Sequence, residues 1–449
     1  MSKQRIQLSD HFTYFRLLRF VLPCIGTTLF TSIYGIVDGL CVSNFVGKTA
    51  FAAVNLIMPL PMLLGTIGFM LGTGGSAIVG ITLGEGDQKK ADRYFTLFLL
   101  AALVSVSVLA VLGIVFLRPI AVLLGAKGEL LDYAVRYGRI LMVSLPTFAL
   151  QNMFQSFFVT AEKPHLGFWF TVGAGCTNMV LDVLMVGIWG WGVEGAAIAT
   201  FISQLVGGVL PVFYFIDRSN SSRLHLCKTS FYSKVLRDAC INGSSELMTN
   251  LSMSLVNILY NYQLLRLAGE NGVAAYGVIM SAAFLFVAVF EGYAVGSAPI
   301  VSFHYGARNH TEVHNLYRKS LRLIAVVAVT LTLASMFIIP CVARIFVGYD
   351  AELLALTSRA FRLYALSFLI MGFNVYASSF FTALGDGVTS ALISFLRTLA
   401  FQVIAILLLP LLLGIDGIWL AVTAAELAAL AVSAAMLLTK DKVFHYRKA

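Results

Sequence analysis

Apolar residues run along this chain in blocks longer than a water-soluble core element needs. Leu97–Phe116, Ile324–Ile339 and Ile404–Leu413 contain no charged side chain. About 20 residues of helix cross the hydrocarbon core of a bilayer, so unbroken apolar runs of about 18 or more read as membrane spans. The pattern predicts twelve such helices, at about 15–41, 50–80, 94–116, 133–158, 165–188, 192–216, 238–265, 273–302, 316–339, 359–383, 388–412 and 416–438. Turn clusters separate them: Gly84-Glu85-Gly86-Asp87, Glu162-Lys163-Pro164 and Gly385-Asp386-Gly387. The first block, Phe15 to Cys41, is too long for a cleavable signal, contains Pro23 and Asp38, and has no small-residue cleavage site after it. The longest polar stretch, Asp217 to Arg237, sits near mid-chain and reads as a linker.

The two sides of that linker resemble each other. Gly75-Ser76-Ala77, Ile78-Val79 and Gly84 match Gly296-Ser297-Ala298, Ile300-Val301 and Gly306, with Pro299 inserted. Glu129-Leu130-Leu131 matches Glu352-Leu353-Leu354, and Phe157-Phe158 matches Phe380-Phe381. Gly192-Val193-Glu194-Gly195 matches Gly414-Ile415-Asp416-Gly417. The offset is 221 at the first match and 222 or 223 afterwards. Six spans per half is an even number, so both halves enter the membrane in the same direction, as parallel repeats about an axis along the membrane normal. The expected fold is an all-α integral membrane protein of two pseudo-symmetric six-helix bundles. Residues 1–216 form the first lobe, 217–237 a cytoplasmic linker and 238–449 the second lobe. A cleft between rocking halves suits a transporter better than a receptor or scaffold.

Composition agrees with the pattern. Residues are 59% hydrophobic and 12% charged, against about 25% charged in soluble domains. The net charge of +9 invites a nucleic-acid reading, which its distribution removes. With the N-terminus inside, Lys and Arg fall 21 to 9 in favour of the inner loops, tails and span ends, and only Arg397 lies deep within a span. Both termini are therefore expected in the cytoplasm of a plasma membrane. The six cysteines form no CxxC pair, and four lie in spans, as small apolar fillers rather than disulfides or metal ligands.

Ionisable groups within spans are expensive and mark function by default. Asp38 lies late in the first span. Asp182 lies in the fifth, with Asn178 one turn before it on the same helix face. Two carboxylates and neutral oxygens can hold a proton or Na⁺; the competing reading is structural polar contact. Glu246 and Glu291 fall about halfway across the seventh and eighth spans. They line a second-half cavity for a cationic substrate or second proton, or else tie helices together. Arg397 and Glu426, in consecutive antiparallel spans, are expected to pair. Gln151, Asn152 and Gln155 form a polar patch in the fourth span that touches substrate or ties helices. Pro23 favours a kink below Asp38.

With these residues in place, the chain resembles the MATE (multidrug and toxic compound extrusion) family over essentially its whole length. Three stretches carry the likeness: Tyr34 to Ala53 (YGIVDGLCVSNFVGKTAFAA), Asn178 to Thr200 (NMVLDVLMVGIWGWGVEGAAIAT) and Ala298 to Ala307 (APIVSFHYGA). A first-span aspartate preceded by a proline, as Pro23 precedes Asp38, is similar to the DinF-like branch. The resemblance implies a MOP-type fold with two six-helix bundles in a V. It implies antiport of organic, often cationic, compounds and drugs against H⁺ or Na⁺, acting as a monomer without other cofactors. It implies that Asp38, Asn178 and Asp182 form the coupling site, with Tyr34 and Thr200 as neighbours and Pro23 as the bending point. Other branches of the family place an essential acid in the second half, on a helix where Glu246 would fit, whereas Glu291 is not a general family feature.

Two other functions fit the residues less well. A flippase for lipid-linked saccharides needs several basic residues in its spans, and Arg397 is alone. A membrane enzyme needs a nucleophile–base or metal constellation. No His lies clearly inside a span, and no HExxH, GxSxG or P-loop pattern is present.

Overall fold

The computed structural model describes residues 6–46, 48–348 and 350–447, with the side chains at 36, 38–44, 48, 342, 345 and 346 outside the described residues. Helices account for the fold, and no strand occurs among the described residues. The first span is Tyr14–Phe45, and the second is Lys48–Ile57 followed by Pro59–Gly84. The third and fourth are Gln88–Leu123 and Glu129–Thr160. The fifth is Pro164–Asp182, continued by a π-helical turn over Val183–Ile188, and the sixth is Gly192–Gly208 with Leu210–Ile216. A short helix, Ser233–Asn242, leads into Ser244–Gly306, a run of 63 residues broken at Gly269 (φ 61°, ψ −149°) into the seventh and eighth spans. The ninth is His310–Val347. The tenth, Ala351–Ala365 and Phe368–Ala383, bends by 46° at the break. The eleventh passes through a π-helical turn at Leu396–Ala400 between Gly387–Phe395 and Phe401–Leu413, and the twelfth is Ile415–Thr439.

Among the described residues, nine helices are long and apolar enough to cross a membrane, or ten if the bent tenth span is included. One of them, Ser244–Gly306, supplies two spans, and the polar fourth span completes the twelve expected. Glu129–Thr160 carries Glu129, Asp132, Arg136 and Arg139 in its first three turns, which is why it is the least apolar. Several boundaries differ from expectation: the third and ninth spans, Gln88–Leu123 and His310–Val347, outrun their apolar blocks at both ends. The linker already turns helical at Ser233, and the tenth span starts at Ala351 because Asp350 caps it, accepting from the Glu352 and Leu353 amides.

The two halves repeat in backbone detail. Positive φ recurs at Gly86 and Arg308, at Glu162 and Gly385, and at Gly192 and Gly414, each pair at the offset of the repeat. Asp87 caps the third span by accepting from Lys90 N, and Asn309 caps the ninth by accepting from Glu312 N. The rings of Phe95 and Phe157 lie 4.8 Å apart, and those of their second-half counterparts, Tyr317 and Phe380, lie 5.4 Å apart.

The halves meet through glycines on the second and eighth spans. A Cβ on Gly80 would lie 2.8 Å from Ser302 Cβ, and one on Gly74 would lie 2.2 Å from Ala239 O. A Cβ on Gly292 would lie 2.5 Å from Ile25 Cα. Small residues let helix backbones approach closely where no apolar driving force separates protein from lipid. These contacts lie between mid-span and the helix ends that carry the basic loops, so the halves are sealed at that basic end. Thr28 adds a hydrogen bond across the seam, donating to Ala288 O at 2.7 Å.

A strap crosses the same end. The amide of Leu8 donates to Glu162 Oε1 in the first half (2.9 Å), and the amide of Phe12 donates to Glu312 Oε1 in the second (2.9 Å). Leu8 and Phe12 are fully buried. Glu162 also pairs with Arg223 at 2.6 Å, and Lys319 Nζ donates to Phe12 O at 2.6 Å.

Candidate functional site

In the first half, Asp182 and Asn178 sit one turn apart on the fifth span, 0% and 2% exposed. Neither amide atom of Asn178 has a hydrogen-bond partner among the described residues, and an unmet buried amide favours whatever polar group can fill the site. The helix changes from α to π immediately after Asp182. Such turns carry one extra residue, loosen the backbone ladder and recur at functional sites. Pro23 is buried in the first span, and the Thr27 hydroxyl donates to its carbonyl at 2.9 Å. Tyr34 packs on the fifth span, where a Cβ on Gly175 would meet its ring at 3.0 Å. Thr200 turns back on its own helix and donates to Ala196 O. The backbone of Asp38 belongs to the first span, but its side chain lies outside the described residues.

The three amides of the fourth span part company. Gln151 is buried against the sixth span, where Gly207 leaves room for its side chain. Asn152 is 6% exposed, with its Nδ2 unpartnered among the described residues. Gln155 lines a small cleft with Cys24, Thr27, Thr28 and Val295, so it faces the seam between the halves. A larger cleft between the second and third spans is lined only by apolar side chains such as Leu60, Leu64, Phe116 and Ile120. It can take an acyl chain but offers nothing to an ion.

The second half holds a separate charged group. Arg397 Nε lies 3.8 Å from Glu426 Oε1, which realises the expected pair. Glu426 is also held from its other side: Asn374 Nδ2 donates to Oε2 at 2.7 Å and to the Glu426 carbonyl at 2.9 Å. Ser433 in turn donates to Asn374 Oδ1 at 2.9 Å. Glu246 and Glu291 interact electrostatically with Arg397, and Glu246 also with Glu291. Glu291 is exposed and Glu246 is half-buried, and both lie within electrostatic reach of Arg397. Arg397 sits in the second π-helical turn. In each half, then, the fifth helix of the bundle becomes π-helical beside its buried charge.

Sequence reasoning missed Asn374. The signal was present, since Asn374 is the counterpart of Gln151 in the repeat, and Glu426 is the counterpart of Gln204. The strap at Leu8 and Phe12 left no comparable signature, because both of its anchors depend on folding.

Comparisons with known proteins agree on one family. The MatE family model matches twice, over residues 23–184 and 247–408. The multidrug export protein MepA of Staphylococcus saprophyticus is 21% identical over 433 residues, covering 95% of this chain and 94% of its own. MepA of Staphylococcus aureus strain MSSA476 is 21% identical over 429 residues, with the same shares covered. Among solved structures, the outward-facing conformation of a multidrug resistance MATE family transporter of the MOP superfamily aligns over 100% of both chains, with TM-score 0.92 and 23% identity. A MOP-superfamily transporter from Pyrococcus furiosus, described as having a binding pocket of reversed polarity, aligns over 100% of both chains with TM-score 0.90 and 22% identity.

Proposed function

This chain belongs to the MatE family, and from that membership we propose that it exports organic, often cationic, compounds in exchange for H⁺ or Na⁺. Its relatives are multidrug export proteins, which supports small organic substrates here. The 21 to 9 bias of Lys and Arg supports a plasma-membrane orientation with the basic end and both termini in the cytoplasm. On that orientation the sealed basic end makes this conformation outward-facing. The lobes are residues 1–216 and 238–449, and one chain supplies both, so a monomer suffices.

One observation carries the coupling reading: Asp182 and Asn178, 0% and 2% exposed, lie at the α-to-π change of the fifth span. A carboxylate and an amide oxygen there can take a proton or a hard cation, with Asp38 as the second carboxylate. Binding changes the charge of a buried site and hence the packing of the first span, which Pro23 allows to bend. Tyr34 and Thr200 flank the site. Glu246 and Glu291 take the cationic group of the substrate, and Gln155 meets it at the seam.

The test is dye export by the purified protein in liposomes, with an imposed proton gradient in one series and an imposed Na⁺ gradient in the other. Export driven by one gradient names the ion. Failure with both, across several cationic dyes, would sink the proposal.

A further inference from the structure

We infer that Arg397 is the resident counter-cation of the second-half carboxylate cavity, and that an organic cation bound for export takes its place beside Glu246 and Glu291. The inference rests on the export reading above and assigns Arg397 the part of setting charge selectivity.

Four observations lead to it. Arg397 is the one Lys or Arg that the apolar pattern places near mid-span, the others within spans lying in their first few turns, so its charge must be matched inside the protein. Its match to Glu426 is loose. At 3.8 Å from Nε to Oε1 it exceeds a charge-assisted hydrogen bond by about 1 Å, and Nη1 is buried without a partner among the described residues. Glu426 does not depend on Arg397 for its position, because Asn374 and Ser433 hold it on the other side. Finally, the architecture does not require an arginine. The corresponding positions of the first half are Ala174 and Gly175, both buried, and Glu426 corresponds to the neutral Gln204.

The charges that face the guanidinium are Glu426 on the twelfth span, Glu246 on the seventh and Glu291 on the eighth, with the Tyr364 hydroxyl of the tenth nearby. Three carboxylates and one guanidinium leave the cavity acidic, which attracts cations. A substrate cation approaching Glu246 and Glu291 repels Arg397 towards Glu426, where the gap left at 3.8 Å lets the pair close. When the substrate leaves, Arg397 relaxes towards the two free carboxylates and disfavours rebinding. The residue therefore trades affinity for release.

The experiment is equilibrium binding of tetraphenylphosphonium, a permanent monovalent cation, to the full-length protein in nanodiscs, for wild type, Arg397→Met and Glu426→Gln. Arg397→Met removes the competing charge and is expected to tighten binding on the order of tenfold, from the repulsion of two charges several ångströms apart at intermediate dielectric. Its dye export in liposomes should slow at the same time. Glu426→Gln frees Arg397 to compete and should weaken binding. A merely structural ion pair predicts the same direction for both variants, so opposite directions support the inference and equal directions overturn it. If Arg397→Met does not fold, Glu426→Gln decides alone: unchanged or tighter binding overturns the inference. No binding by wild type or variants would overturn the export reading as well, whereas wild-type binding that Arg397→Met leaves unchanged overturns only the role of Arg397.

Discussion

Gly84 and Gly306 make the same contact twice. A Cβ on Gly84 would lie 2.0 Å from Phe303 O, and a Cβ on Gly306 would lie 2.0 Å from Ile81 O. The two glycines are counterparts in the repeat, and so are Ile81 and Phe303. The pairing is isologous, as across a two-fold axis of a dimer, but it occurs within one chain. The axis of the repeat therefore passes between the second and eighth spans at the basic end.

Alanine at either glycine should force that seam apart. The neighbour is backbone, which cannot rotate out of the way, so the sealed state should lose about 1–3 kcal/mol. Cys24 reports the change. It is 5% exposed and lies against Gly296 of the eighth span. In a background where the other cysteines are serine, Gly84→Ala and Gly306→Ala should each speed thiol labelling of Cys24 to a similar degree. An effect from one variant and none from the other would contradict the symmetric seam.

The strap should hold the same end shut. Glu312 is 5% exposed and accepts from the Phe12 amide, from Asn315 at 2.8 Å and from His11 at 2.6 Å. Glu312→Ala leaves a buried amide unpaired, which costs on the order of 1–3 kcal/mol. The expected result is a lower unfolding temperature in detergent together with faster Cys24 labelling. A lower unfolding temperature without faster labelling would show that the strap stabilises the fold but not the sealed conformation.

Asp182→Asn keeps the shape of the buried side chain and removes its charge. On the coupling reading, this variant and Asp38→Asn should still bind substrate but lose ion-driven exchange, by a hundredfold or more in initial rate on the order of the 2–3 kcal/mol that one charged site contributes. Substrate binding and gradient-driven export, measured on the same preparations, separate the two steps. Full export by the double variant would move coupling to Glu246 and Glu291.

The parts of this fold that were legible in the sequence are those set by solvent and by periodicity. Twelve apolar runs, the breaks at Gly86, Glu162 and Gly385, and the register of the halves depend on local composition, so they could be read directly. The Arg397–Glu426 pair could be read because two opposite charges at equal depth in adjacent antiparallel helices have few other partners. Asn374 was missed although the repeat pairs it with Gln151, since an amide in an apolar run names no partner until Glu426 is placed beside it. The π-helical turns at Val183–Ile188 and Leu396–Ala400 were equally hidden. One extra residue in a helix changes no composition, and it is tertiary packing around Asp182 and Arg397 that selects it. The early start of the tenth span was missed because a single capping side chain, Asp350, extends the helix beyond the apolar block.

Asp386 gives a prediction in which pH is the variable. It lies in the loop before the eleventh span at the basic end, with its side chain 12% exposed and 2.8 Å from Lys440 Nζ. Burial pushes its carboxyl up, but hydrogen bonds from Lys440 and Thr389, with the Lys440 charge, outweigh that and hold it below the usual carboxylate range. A carboxylate with a depressed folded-state pKa stabilises the fold fully above the ordinary value of about 3.9 and loses that contribution as pH falls through the lower folded value. Asp386→Asn retains a capping oxygen for the Thr389 amide and loses the charge. It should therefore be less stable than wild type by on the order of 1–3 kcal/mol near neutral pH, and the difference should shrink below about pH 4. Unfolding in detergent at pH 7 and pH 3 measures both arms. A difference that stays constant between the two would mean that the Lys440 contact contributes nothing through charge, and that Asp386 acts only as a cap.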